Sequence, residues 1–354
     1  MPFRRATWTA AMLTCVAMAA EVRAESVEGD AAPSVAQVER PPARRSPTFA
    51  FDRREGLLEI AINGRPFASY VHRDERISRP FFANLHAPSG RRATRPHPPV
   101  DGDGLTDHAT MHPGVWLSFG DISGADFWRN RARVEHVEFV EEPTGDADRA
   151  SFAVRNRYLS GEKVVCTEVA RYEILVRPEG YLLVWNSEFS NSEQSFAFGD
   201  QEEMGLGVRV ASPLSVQSGT GRIVNAEGDR DEKGAGGKQS AWCDYSGNVE
   251  GERVGVLLMP HPENFRKSWF HARDYGFLAA NPFGRNAFTR GERSRVVVKP
   301  GETFRLRFGV LIHSGREGEA FDRKAAYESY LRLTSEMPPA PPPVPMPPGV
   351  NGGA

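Results

Sequence analysis

The strongest constraint on this chain is a succession of short extended runs, the first of them in a clear hairpin signature. Leu57-Leu58-Glu59-Ile60-Ala61-Ile62 and the stretch from Arg65 to Val71 flank Asn63-Gly64, a dipeptide that accepts the positive φ angles of a tight hairpin turn. Further runs follow at Val134–Val140, Ser151–Leu159, Val164–Val176 and Tyr181–Phe189. Later ones lie at Gly207–Val210, Arg222–Val224, Val254–Met259, Arg295–Val298 and Thr303–His313. Arg305-Leu306-Arg307-Phe308-Gly309-Val310 alternates polar and apolar, as a strand with one wet face should. Only Ala320 to Leu333 places apolar residues at helical spacing, through Phe321, Ala325, Tyr327, Tyr330 and Leu331. No internal repeat is evident. The expected fold is all-β: a large antiparallel β-supersandwich with one C-terminal helix.

The ends differ in character. Arg4 and Arg5 precede a small, apolar stretch from Ala6 to Ala20, and Val22-Arg23-Ala24 fits a cleavage site, so residues 1–24 are expected to be a signal peptide and the protein periplasmic or secreted. Residues 25–47 mix prolines with charges and are expected to be a disordered leader. Residues 335–354, with Pro338, Pro339, Pro341, Pro342 and Pro343 close together, are expected to be a Pro-rich disordered tail. Residues 48–334 form the expected β-sandwich domain. No apolar run reaches the ~20 residues of a membrane-spanning helix, so no integral membrane segment is expected in the mature chain. Lys and Arg number 44 against 46 Asp and Glu; this balance offers no basic stripe, and no nucleic-acid partner is expected. Cys166 and Cys243 remain after cleavage, and either one disulfide or two buried thiols fits.

Two long segments lack strand character and are where function is expected: Pro80 to Pro113, rich in His, Pro, Gly and Arg, and His261 to Arg290, rich in aromatics, Asn and Arg. In the first, His108 and His112 precede Pro113-Gly114 and Trp116. A helix does not continue through Pro-Gly, and Ala109 stands where a zinc protease carries its Glu, so the pair suits acid–base work or a sugar hydroxyl better than a metal. The competing reading is that the two histidines hydrogen-bond their own loop. Glu202 and Glu203 are adjacent before a strand and point opposite ways. Glu203 is the candidate base, with Arg209 to orient it, or else simply its structural partner. Trp269, His271 and Arg273 alternate and share one face of an extended segment. With Trp242 and Asn281 they offer flat rings and directional hydrogen bonds, as a carbohydrate site uses. Phe270 and Phe283 suit the core. No phosphate loop, G-x-S-x-G or dinucleotide fingerprint occurs.

Several segments together resemble a known family. They are His108…His112-Pro-Gly-Val-Trp116, Phe119 to Trp128, Trp242-Cys-Asp-Tyr-Ser-Gly247, Arg273-Asp-Tyr-Gly276 through Asn281-Pro-Phe-Gly284, Pro300-Gly-Glu-Thr-Phe304 and Ile312-His313. The chain from about residue 48 to 334 resembles secreted bacterial proteins labelled "methane oxygenase PmoA". That resemblance implies a galactose-mutarotase-like supersandwich and raises the expectation of carbohydrate chemistry. The label's own implication, a copper-dependent oxygenase, is the least supported reading, because the membrane subunit of that name consists of transmembrane helices.

The expected function is therefore an exported carbohydrate-active protein, working as an acid–base enzyme of epimerase, lyase or glycosidase type. The alternative is a non-catalytic glycan-binding module. His108, His112, Glu203 and His271 are the candidate catalytic residues. Trp116, Arg209, Trp242, Trp269, Arg273 and Asn281 are the candidate substrate-binding residues. No cofactor and no metal site is expected.

Overall fold

The computed structural model describes residues 46–101 and 107–335. The expected signal peptide, and nearly all of the expected leader and tail, lie outside the described residues. In chain order the strands begin with β1 (Phe49–Arg54), β2 (Leu57–Ile62), β3 (Arg65–Val71), β4 (Phe81–Ala83), β5 (Val115–Phe119) and β6 (Arg133–Asp146). They continue with β7 (Arg149–Ser160), β8 (Lys163–Arg177), β9 (Gly180–Ser190), β10 (Phe196–Phe198), β11 (Met204–Arg209) and β12 (Arg222–Asn225). The last are β13 (Cys243–Val249), β14 (Glu252–Pro260), β15 (Trp269–Arg273), β16 (Phe277–Asn281), β17 (Val296–Val298) and β18 (Thr303–Arg316).

Two eight-stranded sheets dominate, in the orders β1-β2-β3-β4-β5-β11-β16-β15 and β12-β13-β14-β18-β9-β8-β7-β6, with β10 and β17 as a separate pair. Pairing is antiparallel, as in β11 against β5 and β16 and in β18 against β14 and β9. The expected hairpin is β2–β3, turned at Asn63 (φ 54) and Gly64 (φ 72). The chain is mostly β, as expected.

Three apolar layers hold the sheets. Between them lies the main core, where Tyr172 of β8 meets Tyr70 of β3 (5.2 Å between ring centres), Phe82 of β4 (5.0 Å) and Trp185 of β9 (4.9 Å). Such aromatic pairs contribute about 0.5–1.5 kcal/mol each beyond the area they bury. Two short helices, α1 (Asp231–Ala235) and α2 (Arg285–Thr289), precede a longer one, α3 (Arg323–Ser335), and the outer face of the second sheet packs Leu182, Leu257 and Leu311 against Ala326 and Tyr330 of α3. Helix α3 (Arg323–Ser335) is the expected C-terminal helix. The outer face of the first sheet buries Trp116, Trp128 and Phe277 beneath loops.

The second segment expected to lack strands, His261 to Arg290, instead contains β15, β16 and α2. The cause is burial on both faces: on β15, Phe270 and Ala272 enter the main core while Trp269 and His271 are covered outside. No polar–apolar alternation survives there, and β16 and β5 behave the same way. Cys166 and Cys243 are free, buried thiols.

Gly205 shows how tightly β11 is seated. Its φ is +95°, and a Cβ there would stand 2.0 Å from the Ala280 carbonyl oxygen of β16. Gly205→Ala is expected to cost at least ~1–3 kcal/mol, the cost of a non-glycine residue in that region, seen as a lower urea midpoint. An unchanged midpoint would contradict this packing.

Candidate functional site

A cleft of about 180 Å³ opens on the outer face of the first sheet. His108, His112, Glu203 and His271, the four residues expected to carry chemistry, all line it, together with Met111, Trp128, Arg129, Tyr275 and Phe277. Sheet order explains the convergence. The loop of His108 and His112 leads into β5, Glu203 immediately precedes β11, Tyr275 and Phe277 enter β16, and His271 is central on β15; these strands are neighbours. Outward positions on four adjacent strands thus meet despite lying up to 163 residues apart in sequence (108 to 271).

The floor of the cleft is aromatic. Trp116 of β5 pairs across the ladder with Gly207 of β11, where a Cβ would come within 2.5 Å of the indole. The glycine lets the ring lie flat on the sheet. His112 then stacks on Trp116 (5.1 Å, 14° between planes) and on Phe277 (4.5 Å, 11°), and His108 stacks on His112 (4.9 Å, 22°). Trp116 is fully buried beneath the others, so the expectation that it binds substrate is corrected: it supports the residues that face the cleft.

His108 is the exposed imidazole of the stack. Its Nδ1 lies 2.6 Å from Asp107 Oδ2, and Arg209 Nη2 donates to Asp107 Oδ1 at 2.7 Å. Burial pushes the Asp107 carboxyl up, but the Arg209 and His108 hydrogen bonds and charges outweigh it and hold the group below the usual carboxylate range. An ionised carboxylate only accepts, so it fixes the proton of His108 on Nδ1 and leaves Nε2 for the cleft. Asp107, which holds His108, is a residue of the candidate site that sequence reasoning missed; its position immediately before His108 was the available signal.

Arg209 therefore does not orient Glu203, as expected from sequence. The two stand at opposite ends of β11, about 20 Å apart at ~3.3 Å per residue. Arg209 is buried beneath Tyr275, its guanidinium 4.5 Å from the ring centre. Glu203 is held instead by Arg129, which also donates to Asp126 Oδ2 at 3.0 Å and to Gln201 Oε1 at 3.3 Å. Glu203 remains 31% exposed at its side chain, enough for its second oxygen to meet a ligand.

His112 and His271 differ from His108 in charge. Each is 5% exposed. Burial, followed by the charges of His108, Arg209, Arg79 and Arg95, pushes His112 well below the ordinary imidazole value. Burial and Arg273 push His271 down to about 3. Both rings are neutral near pH 7, so His112 is not a proton donor there, contrary to expectation. His271 Nδ1 donates to the Glu202 carbonyl at 3.3 Å, leaving Nε2 as an acceptor.

These two rings, with His72, His86, His136 and His261, which burial also lowers, make the fold acid-sensitive. The unfolded chain takes up protons below about pH 6.5 that the folded one refuses, so stability is complete above that value and falls as pH drops toward the folded values. Glu168 and Glu173, whose carboxyls are raised by burial, act in the opposite sense. At up to about 1.4 kcal/mol per imidazole, unfolding free energies from urea titrations at pH 7.5 and 5.5 are expected to differ by at least roughly 2–3 kcal/mol. Equal stability at both values would show these histidines to be protonated in the fold.

The other candidate binding residues lie outside the lining. Trp269 is 7% exposed, with the Arg266 guanidinium 5.8 Å from its ring centre. Arg273 bridges Glu202 (3.5 Å) and Glu232 (3.6 Å) at the rim, so Glu202 is paired rather than merely solvated. Asn281 is fully buried: its amide donates to the Gln201 and Glu202 carbonyls and accepts from the Phe283 and Gly284 N–H groups. Its hydrogen-bonding capacity is used up in shaping the loop that carries Glu203. Trp242 packs in the layer under α3, on the other sheet. For Asn281 and Trp242 the expected substrate contact is thus corrected to structural support.

Fold and site together define an antiparallel two-sheet sandwich with an imidazole-and-carboxylate cleft on one outer face. The chain belongs to the family of unknown function DUF6807, whose model matches residues 57–326. No curated protein matches. Among solved structures, the chain is similar to a galactose mutarotase-like protein from Clostridium acetobutylicum, at 10% identity and TM-score 0.39, over 77% of this chain and 99% of that one. It is similar also to a galactose mutarotase-like protein from Lactobacillus casei, at 11% identity and TM-score 0.33, over 75% and 100% of the two chains. A glycoside hydrolase family 97 enzyme from Pseudoalteromonas matches at 7% identity and TM-score 0.33, over 76% of this chain and 34% of that one. Likeness at these levels says nothing about ligand or reaction.

Proposed function

We propose that this chain is an exported carbohydrate-active protein, an acid–base enzyme acting on a sugar or keto-sugar. The observation that carries the reading is the cleft itself: an exposed imidazole held by Asp107, a carboxylate held by Arg129, and stacked rings between them. At about 180 Å³ it is smaller than the ~300–1,000 Å³ of drug-sized pockets, which suits one sugar ring or the end of a chain.

In this reading Glu203 accepts a proton from a carbon or hydroxyl of the sugar while protonated His108 gives one from Nε2 to the oxygen gaining charge. The proton count closes when His108 recovers a proton and Glu203 loses one to solvent or to the product. Arg129 orients Glu203. Asp107, anchored by Arg209, orients the His108 ring. Neutral His271 accepts a hydroxyl hydrogen bond at Nε2. Half-buried Tyr275 offers apolar ring surface.

A copper-dependent oxygenase fits poorly: among the described residues no group of three or more His, Cys, Asp or Glu is placed to hold a metal ion, and no step is routed through one. The glycan-binding alternative draws on one observation, the ion pair of Glu203 with Arg129, which neutralises the proposed base. Product analysis on a panel of aldoses, keto-sugars, uronic acids and oligosaccharides separates the two. Conversion of at least one sugar is expected. Saturable binding without conversion selects the binding module, and neither binding nor conversion rejects the carbohydrate reading. For export, the expected mature protein begins at residue 25, and recovery of protein still starting at Met1 from the producing cells' exterior fraction would reject cleavage.

A further inference from the structure

A second cleft, of about 270 Å³, lies apart from the first, between the segment that follows β3 and the start of β6. His72, Arg73, Asp74, Arg79, Arg133 and His136 line it, with Glu135 at its edge. Its polar groups are unequally engaged. Asp74 is fully used: its carboxylate accepts the Arg76 and Ile77 N–H groups at 2.8 and 2.9 Å and lies 2.9 Å from His97 Nε2. Glu135 accepts two hydrogen bonds from Arg157.

The cations are less well matched. Arg79 is 3% exposed, and among the described residues no carboxylate lies within ion-pair distance of it. Carbonyls of Phe127, Trp128 and Met111 and the Asn130 side chain serve its two terminal nitrogens, while its buried Nε has no partner. Asp126 acts on Arg79 only from beyond ion-pair distance, and a buried positive charge without a counter-charge in contact is costly. Arg73 meets exposed Glu55 at 4.0 Å, and Arg133 donates to the Gly161 carbonyl at 3.0 Å and to both oxygens of exposed Glu162 at 3.3 Å; ion pairs this exposed contribute little. His72 and His136 lie 4.4 Å apart between ring centres, tilted by 42°, and buried His136 Nδ1 has no hydrogen bond.

We propose that this second cleft is a binding site for a compact oxyanion, a phosphate or carboxylate group, held by Arg73, Arg133 and the His72–His136 pair beside the buried charge of Arg79. The site does not depend on the sugar reading, and Arg79 links the two clefts through the Met111 and Trp128 carbonyls. An anion there supplies the negative charge that the fixed residues leave out, and both arginines can turn from their solvent-exposed partners toward it. Binding also draws protons onto the imidazoles. Burial, then the His72, Arg53 and Arg73 charges, holds His136 down to about 4, and burial with Arg73 and Arg53 lowers His72; a bound anion opposes that field. Across the same space, Asp74 and Glu135 are already committed, and Tyr70 and Phe139 contribute only ring faces at 6.2 and 5.7 Å from His72.

The test is a titration of the full chain with inorganic phosphate, and separately with acetate, at pH 6.0 and 8.0 and at constant ionic strength set with sodium chloride. At least one of the two is expected to raise Tm saturably, more strongly at pH 6.0, and to move the imidazole nitrogen resonances of His72 and His136. Which probe acts identifies phosphate or carboxylate as the group recognised. The Arg73→Gln/Arg133→Gln pair, at exposed positions outside the core, is expected to weaken the effect at least tenfold while melting normally without ligand. No effect from either probe beyond chloride overturns the proposal. So does unchanged affinity in the double variant, or resonance shifts confined to His108, His112 and His271.

Discussion

Glu203→Gln is expected to lower turnover by about 10²–10⁴-fold, the usual range for removing a positioned acid or base, with urea stability essentially unchanged. Glutamine preserves shape and can still meet Arg129, which keeps its second carboxylate at Asp126. The lost ion pair is partly exposed, and such pairs contribute ~0–1 kcal/mol. A folded variant with full turnover would remove Glu203 from the mechanism, and retained sugar binding alongside lost turnover would separate chemistry from recognition. Asp107→Asn probes the opposite partner. Its amide can donate toward His108 and favour the wrong tautomer, so both the rate and the alkaline limb of the pH–rate profile, which the proton donor sets, are expected to change. Lost rate with an unmoved profile would assign Asp107 a purely structural part.

Asp244→Ala is expected to be the most destabilising of the substitutions considered, by about 3–5 kcal/mol, because it strips the carboxylate from a buried charged cluster. Asp244 is fully buried on β13, 2.8 Å from His313 Nε2 of β18, and accepts from Arg323 Nε at 2.6 Å and from Ser246 Oγ at 2.8 Å. Burial opposes its charge, yet His313 and Arg323 outweigh that and hold the carboxyl below its ordinary value. Arg323 is the first residue of α3, so the cluster ties that helix to the sheet, while His313 stacks on Phe321 at 3.9 Å. Loss of the carboxylate leaves three donors unpaired, on His313, Arg323 and Ser246, and loosens the layer that contains Trp242. At ~2–4 °C per kcal/mol for a domain of this order of size, Tm is expected to fall by about 6–20 °C, with early change in tryptophan emission. A shift under about 2 °C would contradict the cluster's role.

That cluster also joins two segments singled out in the sequence, Trp242 to Gly247 and Ile312-His313. Trp242 looked like part of a binding site, and both segments prove to be parts of the fold. Nothing local distinguishes the two, since an aspartate beside an aromatic has the same composition whether it meets a sugar or a buried histidine.

The sequence by itself determined the β character, the β2–β3 hairpin, the long strands of the second sheet and helix α3, because periodicity and turn chemistry are local and written in neighbouring residues. It also nominated His108, His112, Glu203 and His271, as ionisable residues in or beside segments poor in secondary-structure signal. Only the tertiary structure decided that these four line one cleft, that Arg209 serves Asp107, 102 residues away, rather than Glu203, and that Asn281 and Trp242 support rather than face it. It also decided that His112 and His271 are neutral while His108 stays exposed. Partner choice across a sheet depends on the register of distant strands, and the charge of an imidazole depends on how much water its neighbours exclude. Both are properties of packing, which no stretch of neighbouring residues contains.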